Sequence, residues 1–337
     1  MADERNFRSS YYEKVGFRSV EERKSLEILL KDRPFDKAKL KQFCLRFTVP
    51  TLYRNFLWKI LLGVVPTFAE SHDFIMIQRK AEFEDLQKAL QIAKIVNENT
   101  KPHEVFLTMW LLRTRRVKID LNAQLDAPLL RLSHKFLILY LLSADCSLLN
   151  TNTTKQYQKM ATSKLAESLC HVVDTDHEDK LVDTYWLLRG FLDQVQKFYK
   201  EVVRLQECTY NILEREDPDL YKHLTKIEAL FNLPFHIWFY SCFAGTISNG
   251  SIPKIWDKIV VGAYKILVFV AVVTLITLKR VLLRCEHLDN ILDAINNISE
   301  ETSEVIVNKA IELWQQSGST LVSMPQSIQA VAQVNQS

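Results

Sequence analysis

Residues 259–278 read IVVGAYKILVFVAVVTLITL, and the class of the protein depends on what this stretch forms. Lys265 divides the stretch and leaves an uncharged run of 13 residues from Ile266 to Leu278. A helix needs about 20 apolar residues to span a bilayer, and runs of about 10–14 are more often buried core helices. A lysine held at membrane depth would also cost about 3 kcal/mol. The stretch therefore predicts a central core helix, and a membrane anchor is the second alternative.

The sequence on either side of this run has the pattern of helices. Apolar residues recur at helical spacing within 252–260, and the segment KRVLLRC follows the run at 279–285. The run itself is rich in β-branched residues, which would also suit a buried strand. The flanking patterns favour a helix, and a helix that is apolar all round is one surrounded by other helices.

The composition is that of a helical globular protein. The chain has 337 residues, of which 47% are hydrophobic and 25% charged, so it can form one large domain or two smaller ones. It contains 7 glycines, whereas β-rich proteins and nucleotide-binding α/β folds need more glycine for turns and phosphate loops. Long amphipathic runs rich in Leu, Lys, Glu and Gln complete the pattern, and together they predict an all-α fold.

Charge and motif content disfavour several functional classes. The formal net charge is +3 and the acidic and basic residues are interspersed, so nucleic acid is not indicated. The 6 cysteines lie far apart without a C-x-x-C pair, which predicts reduced thiols in a cytoplasmic protein. The 8 histidines form no H-E-x-x-H motif, and neither a metal site nor another cofactor is expected. The amino terminus lacks the apolar stretch of a signal peptide.

The order of helical and turn patterns divides the chain into three parts. We expect an amino-terminal helical extension over 1–44, a main domain over 45–316 and a disordered polar tail over 317–337. Within the extension, Asp36 is placed to cap the start of a helix. Within the domain, Gly63 is placed to end one.

Two parts of the sequence carry a family resemblance. The first, VPTLYRNFLWKILLG at 49–63, resembles the first signature of TBC domains, the GTPase-activating domains of Rab regulators. The second is similar to the carboxy-terminal pattern of the same family, and it consists of WFYSCFA at 238–244, IWDK at 255–258 and KILVFVA at 265–271. Order and spacing agree over roughly residues 45–314.

The resemblance implies a fold and a set of structural residues. TBC domains are all-α and consist of two packed helical lobes, so this architecture is expected here. Arg54 is expected to order neighbouring loops through charged hydrogen bonds to carboxylates or carbonyls, without a catalytic role. The structural signature that carries over to this chain consists of Arg54, Trp58, Trp238, Trp256 and Asp257.

A catalytic TBC domain supplies two side chains to the GTPase, and both slots are degenerate in this chain. An arginine from I-x-x-D-x-x-R offsets charge on the transferring phosphoryl group, and an arginine finger contributes about 10³–10⁵ in rate. In VKIDLNA at 117–123 that slot holds Ala123, with Arg116 as a nearby substitute. A glutamine from Y-x-Q-G positions the attacking water, and here Gln158 is present while Lys159 replaces the glycine. The resemblance therefore implies weak or absent intrinsic activity.

One subgroup of the family is similar over longer stretches that contain no catalytic motif. The similarity covers Arg5 to Asp32 and Asp257 to Val272. It implies that the protein docks onto the coiled coil of hamartin and stabilises the hamartin–tuberin complex, in which tuberin activates GTP hydrolysis by Rheb and restrains TOR signalling. It also implies a cytoplasmic protein that reaches lysosomes or vesicles through its partners. The alternative is a catalytically active Rab GTPase-activating protein in vesicle trafficking.

A partner helix needs an exposed apolar surface, and the helix predicted over 72–97 is the one that offers it. Its apolar residues are too widely spread for one narrow stripe, so one side can face the core and another a partner. The alternative is that the whole surface belongs to the core. The candidate docking residues are Phe83, Leu86, Leu90, Ile92 and Ile95.

Overall fold

The computed structural model describes residues 17–114, 152–173 and 179–318, and these ranges contain helices and no β-strand. In chain order, the helices of the first half are α1 (Phe17–Leu29), α2 (Lys37–Arg46), α3 (Thr51–Leu61), α4 (His72–Ile92), α5 (Pro102–Arg113), α6 (Asn152–Val172) and α7 (Lys180–Lys197). Those of the second half are α8 (Val202–Glu216), α9 (Pro218–Lys226), α10 (Phe235–Tyr240), α11 (Pro253–Val260), α12 (Ile266–Thr277), α13 (Lys279–Leu282), α14 (Leu288–Asn296) and α15 (Glu300–Gln316).

Helix α12 is the central core helix that residues 259–278 predict. All residues from Ile266 to Leu275 are buried, and the helix packs against α8, α11 and α15. Lys265 precedes α12 as its N-cap residue, so the cation lies at the end of the apolar run and not within it. No helix in the described part of the chain combines the length and apolar character that a membrane crossing requires. The prediction of a core helix is therefore confirmed.

The helices form two packed groups that meet at α11 and also where α6 of the first group packs on α10 of the second. In the first group α4, α5, α6 and α7 pack together, and α2 packs on α3. In the second group α8 packs on α9, α10 and α12, and α12 packs on α15. Helix α11 contacts α2, α3 and α7 of the first group and α12 and α15 of the second. Every residue of α11 except Lys254 is buried, so side chains at this junction hold both groups in place.

Two predictions about helix ends are confirmed. The Asp36 carboxylate accepts hydrogen bonds from the backbone N–H groups of Ala38 (2.9 Å) and Lys39 (3.1 Å), which caps α2. Gly63 follows α3 with a φ of +76°, a left-handed conformation that glycine adopts without the steric penalty of a Cβ.

The helix expected over 72–97 is shorter than predicted. Helix α4 ends at Ile92, and Lys94 takes a left-handed φ of 53°. The backbone N–H groups of Lys94 and Ile95 donate to carbonyls of the last turn (2.9 Å each), which are the paired bonds of a Schellman motif. The predicted end was wrong because a lysine, and not a glycine, supplies the left-handed turn.

The division of the chain into an extension, a domain and a tail stays a prediction. Helix α2 of the expected extension packs against α3 and α11 of the expected domain. From residue 319 onward, the expected tail at 317–337 lies outside the described residues.

Candidate functional site

The carboxylate of Asp257 is the centre of a buried polar cluster between α3 and α11. Arg54 donates from Nε to Oδ1 (3.1 Å) and from Nη2 to Oδ2 (3.3 Å), which is the two-pronged pairing that arginine makes with carboxylates. The Trp58 indole N–H donates to Oδ1 (2.9 Å), and the Val49 backbone N–H donates to Oδ2 (3.3 Å). Each oxygen of this fully buried carboxylate therefore accepts two hydrogen bonds.

The sequence of α3 explains how two of these donors reach Asp257. Arg54 and Trp58 are four residues apart, so they lie on the same face of the helix. Arg54 also donates from Nη2 to the Val49 carbonyl (2.6 Å), just before the helix begins. Its guanidinium thus meets one carboxylate and one carbonyl. Arg54 holds the chain segment that enters α3 against α11.

Three aromatic rings pack beside this cluster. The ring centroids of Trp58 and Phe191 are 5.4 Å apart, those of Phe191 and Trp256 are 5.2 Å apart, and those of Trp58 and Trp256 are 6.4 Å apart. The Trp256 indole N–H donates to the Cys242 carbonyl (3.0 Å). Because these rings exclude water, the Arg54 ion pair acts in a low local dielectric, where its hydrogen bonds are electrostatically stronger.

Lys258 is a second fully buried charge, adjacent to Asp257 on α11. Its amine donates to the carbonyl oxygens of Cys44 and Phe47, the latter at 2.6 Å. These carbonyls lie at the carboxy end of α2, where backbone acceptors have no partner within the helix. Lys258 therefore ties α2 to α11. Sequence reasoning missed this role, although a lysine directly after the W-D pair of an apolar helix was the available signal.

Burial acts on the two charges of α11 in opposite directions. Burial raises the pKa of the Asp257 carboxyl, and the Arg54 guanidinium opposes that rise because it favours the ionised form. Burial lowers the pKa of the Lys258 amine, and the Asp257 charge opposes that fall. Arg54 thus favours the charged form of Asp257, and Asp257 favours that of Lys258. Asp257 and Lys258 are both fully buried, and their hydrogen bonds hold α2, α3 and α11 together.

Four of the five signature residues meet at this cluster, and the fifth lies elsewhere. Trp238 is buried against Phe235 (ring centroids 5.1 Å apart) and Phe243 (5.8 Å). The four that meet are Arg54, Trp58, Trp256 and Asp257.

Of the three residues considered for the two catalytic side chains, only Gln158 lies within the described residues. Gln158 lies on α6 and is 7% exposed. Tyr157, directly before it, stacks on His236 with ring centroids 6.2 Å apart and planes within 6°. A glutamine that positions water for a bound GTPase must project from the surface, and Gln158 does not. Arg116 and Ala123 lie outside the described residues.

Helix α4 has one side in the core and another in solvent. Three of the five candidate docking residues are buried, namely Phe83, Leu90 and Ile95. Leu86 is partly buried against the core, whereas Ile92 is 79% exposed. Most of the residues selected from the sequence therefore face inward, and Ile92 is the one of the five that is largely exposed.

The exposed side of α4 carries large apolar residues near both ends. Phe74 and Ile77 are each 64% exposed in the first turns, and Ile92 is exposed in the last turn. Phe74 and Ile92 lie at nearly the same angle around the helix, because 18 residues complete about five turns. We call Phe74, Ile77 and Ile92 the α4 face.

Comparison with known proteins identifies the family. A family model described as the Rab-GTPase-TBC domain matches residues 147–283. TBC1 domain family member 7 of Homo sapiens is 38% identical over 312 residues, which cover 92% of this chain and 94% of that protein. The chain belongs to the TBC1 domain family. The protein of the same name from Danio rerio is 37% identical to this TBC protein over 317 residues, covering 93% and 96% of the two chains.

Solved structures of TBC domains share the fold of this TBC protein. The Ypt/Rab-GAP domain of Gyp1p aligns with a TM-score of 0.52 at 17% identity and covers 88% of this chain and 98% of that one. The flagellar RabGAP TBC domain of Chlamydomonas aligns with a TM-score of 0.51 at 15% identity and covers 90% and 94% of the two chains. At these identities the likeness shows the fold alone, and it confirms the predicted all-α TBC fold.

Proposed function

We propose that this TBC protein is a binding subunit that docks onto the coiled coil of hamartin and stabilises the hamartin–tuberin complex, the tuberous sclerosis complex. In that role it supports the activation of GTP hydrolysis by Rheb and the restraint of TOR signalling, without catalysis of its own. It is a cytoplasmic protein that reaches lysosomes or vesicles through its partners. The observation that carries the proposal is the α4 face.

Helix α4 is anchored firmly enough to present this face as a rigid surface. Phe83 packs edge-to-face against Phe106 of α5 (ring centroids 6.1 Å apart) and Tyr185 of α7 (5.6 Å). Leu90, two turns further on, is also buried. Because the inner side of α4 is fixed by α5 and α7, a partner that binds the outer side loses little conformational freedom in the helix.

The α4 face suits a helical partner. Helix α4 has 21 residues and is about 31 Å long, so a partner helix can run beside it for several turns. Asp85 and Lys88 are exposed between the apolar ends of the face, where they can pair with charges that flank an apolar seam. Burying a Phe or Ile side chain contributes about 1.5–3 kcal/mol, and the face offers three such residues.

The absence of intrinsic catalysis in this proposal is supported at both finger positions. The arginine slot holds Ala123, whose methyl group cannot replace a guanidinium. Gln158 is present but 7% exposed. Without a placed positive charge, the protein loses the contribution of about 10³–10⁵ in rate that an arginine finger supplies.

Binding of the full-length protein to purified hamartin coiled coil tests the proposal directly. We expect the double variant Phe74→Ser with Ile77→Ser to weaken binding by about 3 kcal/mol or more, measured by isothermal titration calorimetry. Leu52→Ser on α3 is the matched control, because Leu52 is also a large exposed side chain, at 73% exposed. Unchanged affinity in the double variant, or an equal loss in the control, would contradict docking at the α4 face.

Purification of the tagged protein from cells, together with its bound partners, tests the proposal without any substitution in the α4 face. We expect tagged protein, purified at moderate salt, to retain hamartin and tuberin at a near-constant ratio measured by mass spectrometry. Enrichment of a Rab GTPase in their absence would support the alternative function instead.

The alternative is a catalytically active Rab GTPase-activating protein in vesicle trafficking, and the description of the matched family model favours it. On this alternative Gln158→Ala or Arg116→Ala removes a measurable stimulation of GTP hydrolysis. On the binding-subunit proposal neither change has an effect, whereas Ala123→Arg creates stimulation. Single-turnover hydrolysis across a panel of Rab GTPases separates the two.

A further inference from the structure

Three arginines converge on one indole ring on the α4 side of the molecule. The guanidinium carbon of Arg79 lies 4.2 Å from the ring centroid of Trp186, that of Arg113 lies 5.1 Å away, and that of Arg189 lies 5.3 Å away. The arginines come from α4, from the last turn of α5 and from α7. The Trp186 indole N–H donates to the Arg79 carbonyl (3.1 Å), so the buried ring is fixed in place. Tertiary packing therefore brings together three cations that are far apart in sequence.

The positive charge of this group is not fully balanced within the described residues. Glu82 pairs with Arg113 (2.5 Å) and lies 3.7 Å from Arg79. Within residues 17–114, 152–173 and 179–318 it is the only carboxylate in an ion pair with any of the three arginines. Three guanidinium groups and one carboxylate leave a charge of about +2. Burial lowers the pKa of the Arg79 guanidinium, and the nearby charge of Arg189 lowers it further.

An unpaired hydroxyl completes the group. Tyr185 is fully buried on α7, and its hydroxyl has no hydrogen-bond partner within the described residues. The ring centroids of Tyr185 and Trp186 are 5.2 Å apart, so the hydroxyl belongs to a side chain that contacts the ring covered by the arginines. A buried polar group without a partner costs free energy. A ligand oxygen placed beside the arginines would supply that partner.

We propose that Arg79, Arg113, Arg189 and the Tyr185 hydroxyl form a binding site for a phosphate group. A phosphate monoester carries a charge of about −1.5 to −2 at neutral pH and three acceptor oxygens, and its charge matches the excess charge of the group. Guanidinium groups present planar pairs of N–H donors that fit phosphate oxygens. The side chains of Arg79 and Arg113 are 24% and 25% exposed, so solvent reaches the site.

The phosphate belongs either to a soluble compound or to a lipid headgroup, since both offer the same chemistry. The proposal does not depend on hamartin binding, because neither Arg79 nor Arg113 belongs to the α4 face. The competing interpretation is that the arginines only cover Trp186 by cation–π contact. That interpretation predicts no specific response to phosphate.

Titration of the full-length protein with inorganic phosphate, against chloride at equal ionic strength, tests the site. We expect saturable binding in ³¹P NMR line broadening, and a rise in melting temperature that chloride does not produce. Arg189→Gln should weaken phosphate binding about tenfold or more, because Arg189 lies over the Trp186 ring and makes no ion pair within the described residues. Arg189→Lys should retain part of the affinity, because lysine keeps the positive charge but lacks the planar pair of N–H donors of a guanidinium.

Two further variants keep the test free of folding effects. Arg204→Gln removes the same charge from an exposed arginine on α8 that pairs with Glu201, and it should leave phosphate binding unchanged. Tyr185→Phe removes only the unpaired hydroxyl, so it should preserve or raise the melting temperature without phosphate and still weaken phosphate binding. An effect of Arg204→Gln as large as that of Arg189→Gln, or unaltered binding in Tyr185→Phe and Arg189→Gln, overturns the proposal.

Vesicles distinguish the two sources of the phosphate. Sedimentation with phosphatidylcholine vesicles that contain phosphatidylinositol 4-phosphate, dependent on Arg189, would assign the site to a lipid headgroup. Binding of inorganic phosphate without binding to these vesicles would assign it to a soluble compound. Failure of both inorganic phosphate and the vesicles to bind refutes the site.

Discussion

The indole N–H of Trp58 donates to Oδ1 of Asp257 over 2.9 Å, although 199 residues separate the two in the chain. Arg54 shares the same carboxylate, so one aspartate of α11 satisfies two side chains of α3. A contact of such long sequence separation depends on the tertiary packing of α3 against α11. The bond therefore joins the segment at 49–63 to the segment at 255–258, and these are the two parts of the sequence that carry the family resemblance.

Removal of the Asp257 charge is expected to lower the free energy of unfolding strongly. Asp257→Asn leaves the Arg54 guanidinium without its counter-ion and replaces an acceptor oxygen with a donor amide. Loss of one partner of a buried ion pair costs about 3–5 kcal/mol in the free energy of unfolding. Urea denaturation followed by circular dichroism measures this loss. Asp193→Asn, an exposed change on α7, is the control and should alter stability by less than about 0.5 kcal/mol. A loss below about 1 kcal/mol in Asp257→Asn would show that the pair contributes little.

Lys258→Met tests the link between α2 and α11. The methionine keeps most of the side-chain volume but leaves the Cys44 and Phe47 carbonyls without their buried donor. Each unsatisfied buried acceptor costs about 1–3 kcal/mol, so we expect the free energy of unfolding to fall by at least about 2 kcal/mol.

Hydrogen exchange locates the effect of Lys258→Met. We expect faster amide exchange in α2 than in α12, because α2 loses its tie to α11 while the contacts of α12 with α8 and α15 remain. Lys254→Met on the same helix is the matched control, since Lys254 pairs with Glu304 near the surface. Uniform acceleration across the chain would mean that Lys258 stabilises the whole fold and not this link.

The sequence predicts the elements whose physical causes are local. The length of the run from Ile266 to Leu278 favoured a buried segment over a membrane span, and the helical patterns on both sides favoured a helix over a strand. The cap at Asp36 follows from the preference of its side chain for free N–H groups at a helix start. The resemblance over 49–63 added the helix that carries Arg54.

Features set by tertiary packing were not predicted. The spread of apolar residues on α4 indicated two sides, but it did not show that Phe83 and Leu90 face inward and Phe74 outward. That choice depends on where α5 and α7 pack. The arginines around Trp186 had no sequence signal, since Arg79 and Trp186 are 107 residues apart. Left-handed Lys94 was missed because glycine is the usual residue at such a turn.

Stability is expected to fall at mildly acidic pH because of His236. Its ring stacks between Tyr157 (centroids 6.2 Å apart) and Tyr240 (6.3 Å), and its Nδ1 has no hydrogen-bond partner within the described residues. Burial lowers the pKa of His236 from its ordinary value of 6.5, so the unfolded chain binds the proton more readily. The stability from neutral His236 is therefore present above about pH 6.5 and is lost as pH falls below that value.

Replacement of the ring isolates this effect. His236→Phe keeps the stacking and cannot bind a proton, so its melting temperature should change less than that of the wild type between about one unit above and one unit below pH 6.5. His287→Phe, at an exposed position on the loop before α14, should leave the wild-type pH dependence intact. Identical pH profiles for the wild type and His236→Phe would exclude His236 as the cause.

Replacement of Gly190 on α7 by alanine is expected to destabilise the protein, because the packing leaves no room for a methyl group. A Cβ built on Gly190 would lie 2.7 Å from the Cβ of Leu62, which is too close and involves an atom next to the backbone. Alanine favours a helix interior over glycine by about 0.5–1 kcal/mol, which alone would stabilise α7. Overpacking costs about 1–3 kcal/mol, so we expect Gly190→Ala to lower the free energy of unfolding on balance. Gly250→Ala is the control, because the close atom there is the flexible end of Glu300. A more stable Gly190→Ala would mean that α3 and α7 can move apart without loss.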